Sequence, residues 1–297
     1  MAQDRTAQDT MAHGAIRTVA VLGAGTMGNG IAHVFARHGY HVILRDVEPR
    51  LLDAAMNTIA NNLDREIKKD TIAAGDKPEI LKRIQPTTAI SDIARADFAL
   101  EAVPERLELK LSVLREADKL LRPEVILASN TSSISTTTLA AATGRADRFI
   151  GMHFMNPVPV MVLVEVIRAL QTSEETFRAT MALCERLEKN PVAVNDAPGF
   201  VSNRVLLPMI NEAAFAVMEG VATAEAVDTV MKLGMNHPMG PLELADFIGI
   251  DVCVNILDVL YAGFGDPKYR ACPLLRKMAA AGRLGRKIGR GFYKYSG

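Results

Sequence analysis

Residues 19–39 read VAVLGAGTMGNGIAHVFARHG, and the order of residue types in this stretch decides the architecture. Val19, Val21 and Leu22 make the β-branched and aliphatic run of a buried strand. Met27, Ile31, Val34 and Phe35 then recur at helical spacing, and Gly39 closes the helix. Between strand and helix stand three glycines spaced G-x-G-x-x-G. Gly23 permits the tight turn, Gly25 lets an anion approach the backbone, and Gly28 lets the helix lie close to the sheet. Ala24, Thr26 and Met27 complete the turn, and the N–H groups at the helix start face the anion. The turn is a seat for a pyrophosphate.

Glycines also mark ordinary turns, so the next segment matters. HVILRD, residues 41–46, reads as a second strand ending in Asp46, about twenty residues beyond the glycines, where a carboxylate meets the adenosine ribose hydroxyls of a dinucleotide. That chemistry favours NAD. Arg45 could instead accept the 2′-phosphate of NADP, but the neighbouring acid would repel it, and NADP is the less favoured cofactor. Capping of the next helix is the alternative employment for Asp46.

The 297 residues are 49% hydrophobic and carry 34 basic against 34 acidic side chains, which supports one large core or two smaller ones and leaves no basic excess for general nucleic-acid binding. No apolar run approaches the roughly 18 residues of a membrane span, and the polar first residues lack a hydrophobic signal region, so we expect a cytoplasmic protein. Cys184, Cys253 and Cys272 are widely separated and are read as reduced and structural. The six histidines are dispersed except for His33, His38 and His41, which lack a matching carboxylate arrangement, so no metal site is expected.

EPRLLDAAMNTIANNLDREIKKD, residues 48–70, is a long amphipathic helix on which Arg65 and Lys69 are neighbours. Such a pair is ordinarily a solvated face, and a grip for phosphates if the substrate carries them. ADFALEAVPE reads as a strand ending near Glu105, EVILASNTSS as one ending at Asn130, Thr131 and Ser132, and RFIGMHFMNP as one ending at His153 and Asn156. Alternating strands and helices imply parallel units whose carboxyl edges share one crevice. In PVMVLVEVI, residues 159–167, Glu165 is the one polar side chain; it is either a buried acid paired with His153, holding its tautomer, or an edge residue facing water. Beyond Pro198 and Gly199 helical patterns take over, at roughly 200–219, 223–232, 241–260 and 272–282, with Asn203 in the first turn and Pro208 a candidate kink. Phe292 and Tyr293 suggest that the basic tail docks. The expected organisation is an N-terminal tail (1–16), an α/β Rossmann-like doubly wound domain (17–197) and an all-α C-terminal domain (198–297).

Taken together, GAGTMGNGIA, EAVPE, ILASNTSS, GMHFMNPVPVMVLVEVI, APGFVSNR, NHPMGPLELADFIGID and GRKIGRGFY make a chain that, from about residue 17 onward, resembles the short-chain L-3-hydroxyacyl-CoA dehydrogenases, and most closely their bacterial 3-hydroxybutyryl-CoA members. The resemblance implies an NAD-dependent, reversible oxidation of a 3-hydroxyacyl-CoA thioester. It implies His153 as general base, Glu165 orienting it, and Ser132 and Asn203 positioning the substrate oxygen and nicotinamide. Glu105, Lys110, Asn156 and Lys287 match positions near the cofactor, and Arg65 and Lys69 match positions that contact CoA. It further implies a homodimer formed through the helical domain. Met155 after Phe154, and Arg106 after Glu105, depart from the family's usual residues and bear on substrate preference. Relatives acting on L-carnitine or L-gulonate, whose substrates give Arg65 and Lys69 nothing to grip, and a non-catalytic lens-crystallin-like NAD-binding protein are the competing readings.

Overall fold

The computed structural model describes residues 16–295, so the tail expected over 1–16 lies, apart from Ile16, outside the described residues. The chain divides after Asp196 into two compact units.

The first unit is built on one eight-stranded sheet: β1 (Thr18–Leu22), β2 (His41–Arg45), β3 (Ile84–Thr87), β4 (Phe98–Glu101), β5 (Ile126–Ser129), β6 (Phe149–Phe154), β7 (Leu163–Arg168) and β8 (Asn190–Asn195). Their order in space is β3-β2-β1-β4-β5-β6-β7-β8. Val19 and Val21 point into one core with Ile31, Phe35, Ile59 and Leu63, while Ala20 and Leu22 point into another with Leu114, Leu139 and Phe149. That two-residue alternation with both faces buried is why these strands read as continuous apolar runs. Helices α1 (Thr26–Arg37), α2 (Pro49–Lys68) and α3 (Asp76–Lys82) follow β1 and β2, and α4 (Leu107–Leu120), α5 (Thr136–Ala141) and α6 (Glu174–Arg186) serve the later strands.

Two expectations are corrected. The strand expected to end near Glu105 stops at Glu101, because the Val103 N–H is taken by the Glu101 carboxylate and Pro104 has no N–H to pair. The sheet is not wholly parallel, since β6 and β7 are antiparallel and set His153 directly opposite Glu165. The short connection between them is a hairpin, which leaves no room for the crossover a parallel pair needs.

The second unit contains α7 (Ser202–Met218), α8 (Ala224–Gly234), α9 (Pro241–Ile248), α10 (Ile250–Phe264) and α11 (Pro273–Ala280) around Leu207, Ile210, Leu242, Ile250, Leu257 and Leu275. Pro208 lies inside α7. The helix expected over 241–260 is in fact two, bent by 97° at Gly249, whose φ of 109° no ordinary helical residue adopts. No single helix among the described residues is long and apolar enough to cross a membrane. The C-terminal segment docks on two buried acids. Asp246 accepts the N–H groups of Phe292 and Tyr293 at 2.9 Å, and Asp228 accepts the Tyr293 hydroxyl at 2.7 Å together with the N–H groups of Leu242 and Glu243. A Cβ on Gly291 would lie 1.9 Å from Asp246 Oδ1, so only glycine fits beneath that acid.

Candidate active site

The strand order reverses direction between β1 and β4, and crevices at such switch points are where open α/β sheets bind ligands. The glycine turn sits there. Gly23, with φ of 110°, has its α-carbon so close to β4 that a Cβ would meet Ala102 O at 2.6 Å, and a Cβ on Gly28 would meet Gly23 O at 1.8 Å. Gly25 is different, because nothing lies within 4 Å of where its Cβ would be. Open space therefore stands before the first turn of α1, which has neither a side-chain cap nor an acidic residue to occupy its N–H groups. Thr26 is exposed beside Gly25, Met27 is half-buried, and Ala24 is buried. Asp46 is drawn onto the turn, its Oδ2 accepting the Ala24 N–H at 2.7 Å and its Oδ1 the Val47 N–H at 2.7 Å. Among the described residues no cluster suited to a metal ion occurs.

On the antiparallel pair, His153 Nδ1 lies 2.7 Å from Glu165 Oε2, and both side chains are buried. An ionised carboxylate only accepts, so Nδ1 is the donor in this contact. Residue types alone leave a solvent-facing Glu165 open, and the cross-strand register closes that alternative. The strand beside them is held by Asn130, whose Oδ1 accepts the Phe154 N–H at 2.9 Å.

Glu105 gathers the turn after β5. Its Oε1 accepts from Thr131 Oγ1 at 2.6 Å, from the backbone N–H of Ser132 and of Ser133 at 2.9 Å, and from Ser133 Oγ at 3.0 Å. Burial works to raise its pKa, but the Lys110 ammonium, 3.2 Å from Oε2, and these donors outweigh it, leaving the carboxyl below the ordinary carboxylate range. Lys110 itself is buried and has its donors committed, to Glu101 Oε1 at 2.7 Å and to Val103 O and Glu105 at 3.2 Å. It reaches the crevice through Glu105 and not directly. Glu101, a residue that the sequence does not single out, also accepts from Ser129 Oγ at 2.6 Å. The available signal is an acid closing the otherwise apolar strand FALE, nine residues before a lysine.

Arg65 and Lys69 stand apart from the glycine turn. Glu66, between Arg65 and Lys69, pairs with His33 and Arg37 on the C-terminal half of α1, whereas the glycine turn is at the N-terminal end of that 12-residue helix, roughly 12 to 18 Å away along its axis. Arg65 donates to Asn62 Oδ1, and Lys69 is exposed. Asn156 is exposed just beyond β6. In the helical unit, Asn203 occupies the first turn of α7, and its N–H donates to Gly199 O. Lys287 is an ion-pair partner of Asp251, with both carboxylate oxygens within 2.7 Å, so its ammonium already bridges the C-terminal segment to α10.

Comparison with known proteins adds the deciding observation. Residues 18–197 match the family model for the 3-hydroxyacyl-CoA dehydrogenase NAD binding domain, and residues 199–295 match that for the C-terminal domain of the same enzymes. The chain belongs to the 3-hydroxyacyl-CoA dehydrogenase family. Among solved structures, (S)-3-hydroxybutyryl-CoA dehydrogenase from Ralstonia eutropha superposes with a TM-score of 0.93 at 52% identity, over 95% of this chain and 100% of that one. A 3-hydroxybutyryl-CoA dehydrogenase of Bradyrhizobium diazoefficiens is 51% identical over 95% of this chain and 96% of its own length. The human mitochondrial hydroxyacyl-coenzyme A dehydrogenase is 40% identical over 94% of this chain and 91% of its own length. The α/β unit of this 3-hydroxyacyl-CoA dehydrogenase family member is thus a dinucleotide-binding domain of NAD type. Its residues fit the group: the space before Gly25, the uncapped start of α1 and the acid on the turn match a pyrophosphate and a ribose.

Proposed function

We propose that this chain is an NAD-dependent (S)-3-hydroxyacyl-CoA dehydrogenase, interconverting 3-hydroxybutyryl-CoA and acetoacetyl-CoA with His153 as base and acid. The observation that carries the reading is the buried 2.7 Å contact of His153 Nδ1 with Glu165, which orients the imidazole for proton exchange with a 3-hydroxyl group through Nε2. The nicotinamide supplies hydride exchange at C3 of the substrate. In the oxidative direction the 3-hydroxyl proton passes to Nε2, and the Glu165 carboxylate stabilises the imidazolium. In the reductive direction the same proton returns to the nascent alkoxide oxygen. Ser132, on the turn held by Glu105, and Asn203, in α7, position that oxygen. Gly23, Ala24, Gly25, Thr26, Met27 and Gly28 cradle the pyrophosphate.

Asp46 favours NAD over NADP, because its carboxylate would repel a 2′-phosphate. Arg65 and Lys69 serve the phosphates of CoA, whose extended chain allows contacts remote from the reacting carbon. Exposed apolar side chains of the helical unit, among them Val205, Val221, Val230 and Leu233, supply a homodimer surface. A CoA thioester and a nicotinamide dinucleotide are metabolites of the cell interior, which supports a cytoplasmic location. The test is NADH consumption with acetoacetyl-CoA, then with free acetoacetate, then with NADPH replacing NADH. Activity that needs the thioester and NADH supports the reading. Activity with neither acceptor, in protein that binds NADH, rejects it in favour of a non-CoA hydroxy acid.

A further inference from the structure

Glu101 is the most enclosed ionisable group beside the crevice. It ends β4 at the switch point, in register with Leu22 of β1 on one side and Ser129 of β5 on the other. Its side chain is fully buried, yet both carboxylate oxygens are occupied: Oε1 accepts the Val103 N–H and the Lys110 ammonium at 2.7 Å, and Oε2 accepts Ser129 Oγ at 2.6 Å. Lys110 is shared between this acid and Glu105, and Glu105 in turn collects the N–H groups of Ser132 and Ser133. One chain of bonds therefore runs from the floor of the sheet to the turn that carries Ser132.

Burying an acid and a base, Glu101 and Lys110, is a poor way to stabilise a sheet, since desolvation offsets most of the Coulombic gain and apolar side chains of similar volume do as well or better. The arrangement does something apolar side chains cannot. Lys110 fixes Glu105 at one oxygen, so the other oxygen is aimed at the 131–133 turn. Without Glu101, Lys110 has only Glu105 and Val103 O to satisfy, and it would draw the Glu105 carboxylate down and away from the turn.

We infer that Glu101 is a positioning residue for the dehydrogenase reaction, acting through Lys110 and Glu105 to place the Thr131–Ser133 turn and hence Ser132. The inference rests on the proposed function, and wild-type activity with acetoacetyl-CoA and NADH is its control: an inactive wild type rejects the function, not the relay. In active protein, Glu101→Gln keeps the shape and removes the charge. We expect kcat to fall by about 10- to 100-fold, as misplacement of a substrate-positioning group by an ångström does. The NADH dissociation constant, read from NADH fluorescence, should change less than about threefold, because the glycine turn and Asp46 are untouched. The double variant Glu101→Gln/Lys110→Met removes both buried charges. If the pair merely fills the core, that variant recovers kcat; if it positions the turn, kcat stays low even where the thermal midpoint recovers. A folded Glu101→Gln with kcat within twofold of wild type, or recovery in the double variant, overturns the inference. Should Glu101→Gln fail to fold, Ser129→Ala removes one bond to Oε2 alone; a fall in kcat of threefold or more supports the relay, and an unchanged kcat overturns it.

Discussion

At the scale of single residues, the proposed chemistry rests on His153 and Glu165. His153→Ala removes the proton acceptor and should lower kcat by about 10² to 10⁴, with NADH affinity nearly intact because the glycine turn is a separate structure. Loss of NADH binding in the folded variant would defeat the role assigned to the histidine. Glu165→Gln can still accept the Nδ1–H through its amide oxygen, so the fold should persist while the imidazolium loses its counter-charge, and kcat should fall with little change in thermal midpoint. Both residues stand out in the sequence, a histidine and an acid in otherwise apolar runs. Their contact is only one of two alternatives at that level, because a face assignment needs the register, and the register is a property of two strands.

At the scale of elements, two of the three glycines of the turn, Gly25 and Gly28, separate ligand space from packing. Gly28→Ala puts a Cβ within 1.8 Å of Gly23 O, which forces the turn apart, and should lower both the thermal midpoint and NADH affinity. Gly25→Ala meets no protein atom, so stability should be unchanged while NADH binding weakens. Calorimetry and a fluorescence titration on the two variants distinguish these cases; equal NADH affinity in Gly25→Ala would mean that the open space is not where the pyrophosphate sits. The glycine spacing makes this element legible from residue order, since only a few residue types fit such a turn. The stretch 241–260 is not legible as two helices, because apolar periodicity continues across Gly249 and a single glycine inside a helical pattern is compatible with an unbroken helix.

At the scale of the whole molecule, charge sets the acid limit of stability. For Glu66, burial raises the pKa but His33 and Arg37 outweigh it; for Asp97, burial raises it but the N–H groups of Arg17 and Thr18 and the Arg122 guanidinium outweigh it. With Glu105, three carboxyls thus have folded-state pKa values below their ordinary ones. Their stabilisation is complete above the ordinary carboxylate range and is lost as pH falls through and below it, so the thermal midpoint should drop steeply below about pH 4. Glu105→Gln should make that drop shallower, as thermal scans from neutral to acid pH will read; an unaltered slope would count against its share. Assembly belongs to the same scale: sedimentation equilibrium should return twice the chain mass, and a monomer would remove the helical unit's apolar surface as a dimer face.

The sequence by itself determined the alternation of strands and helices, the dinucleotide turn, the family and the candidate histidine, because period, glycine spacing and motif order are local and survive in one dimension. Tertiary structure alone decided that β7 runs antiparallel to β6, that Lys110 is spent on Glu101 and Glu105, and that Lys287 is spent on Asp251. Those outcomes depend on which distant groups can share a buried charge or a ladder of hydrogen bonds, and neither spacing nor residue type encodes that choice until the sheet has closed around them.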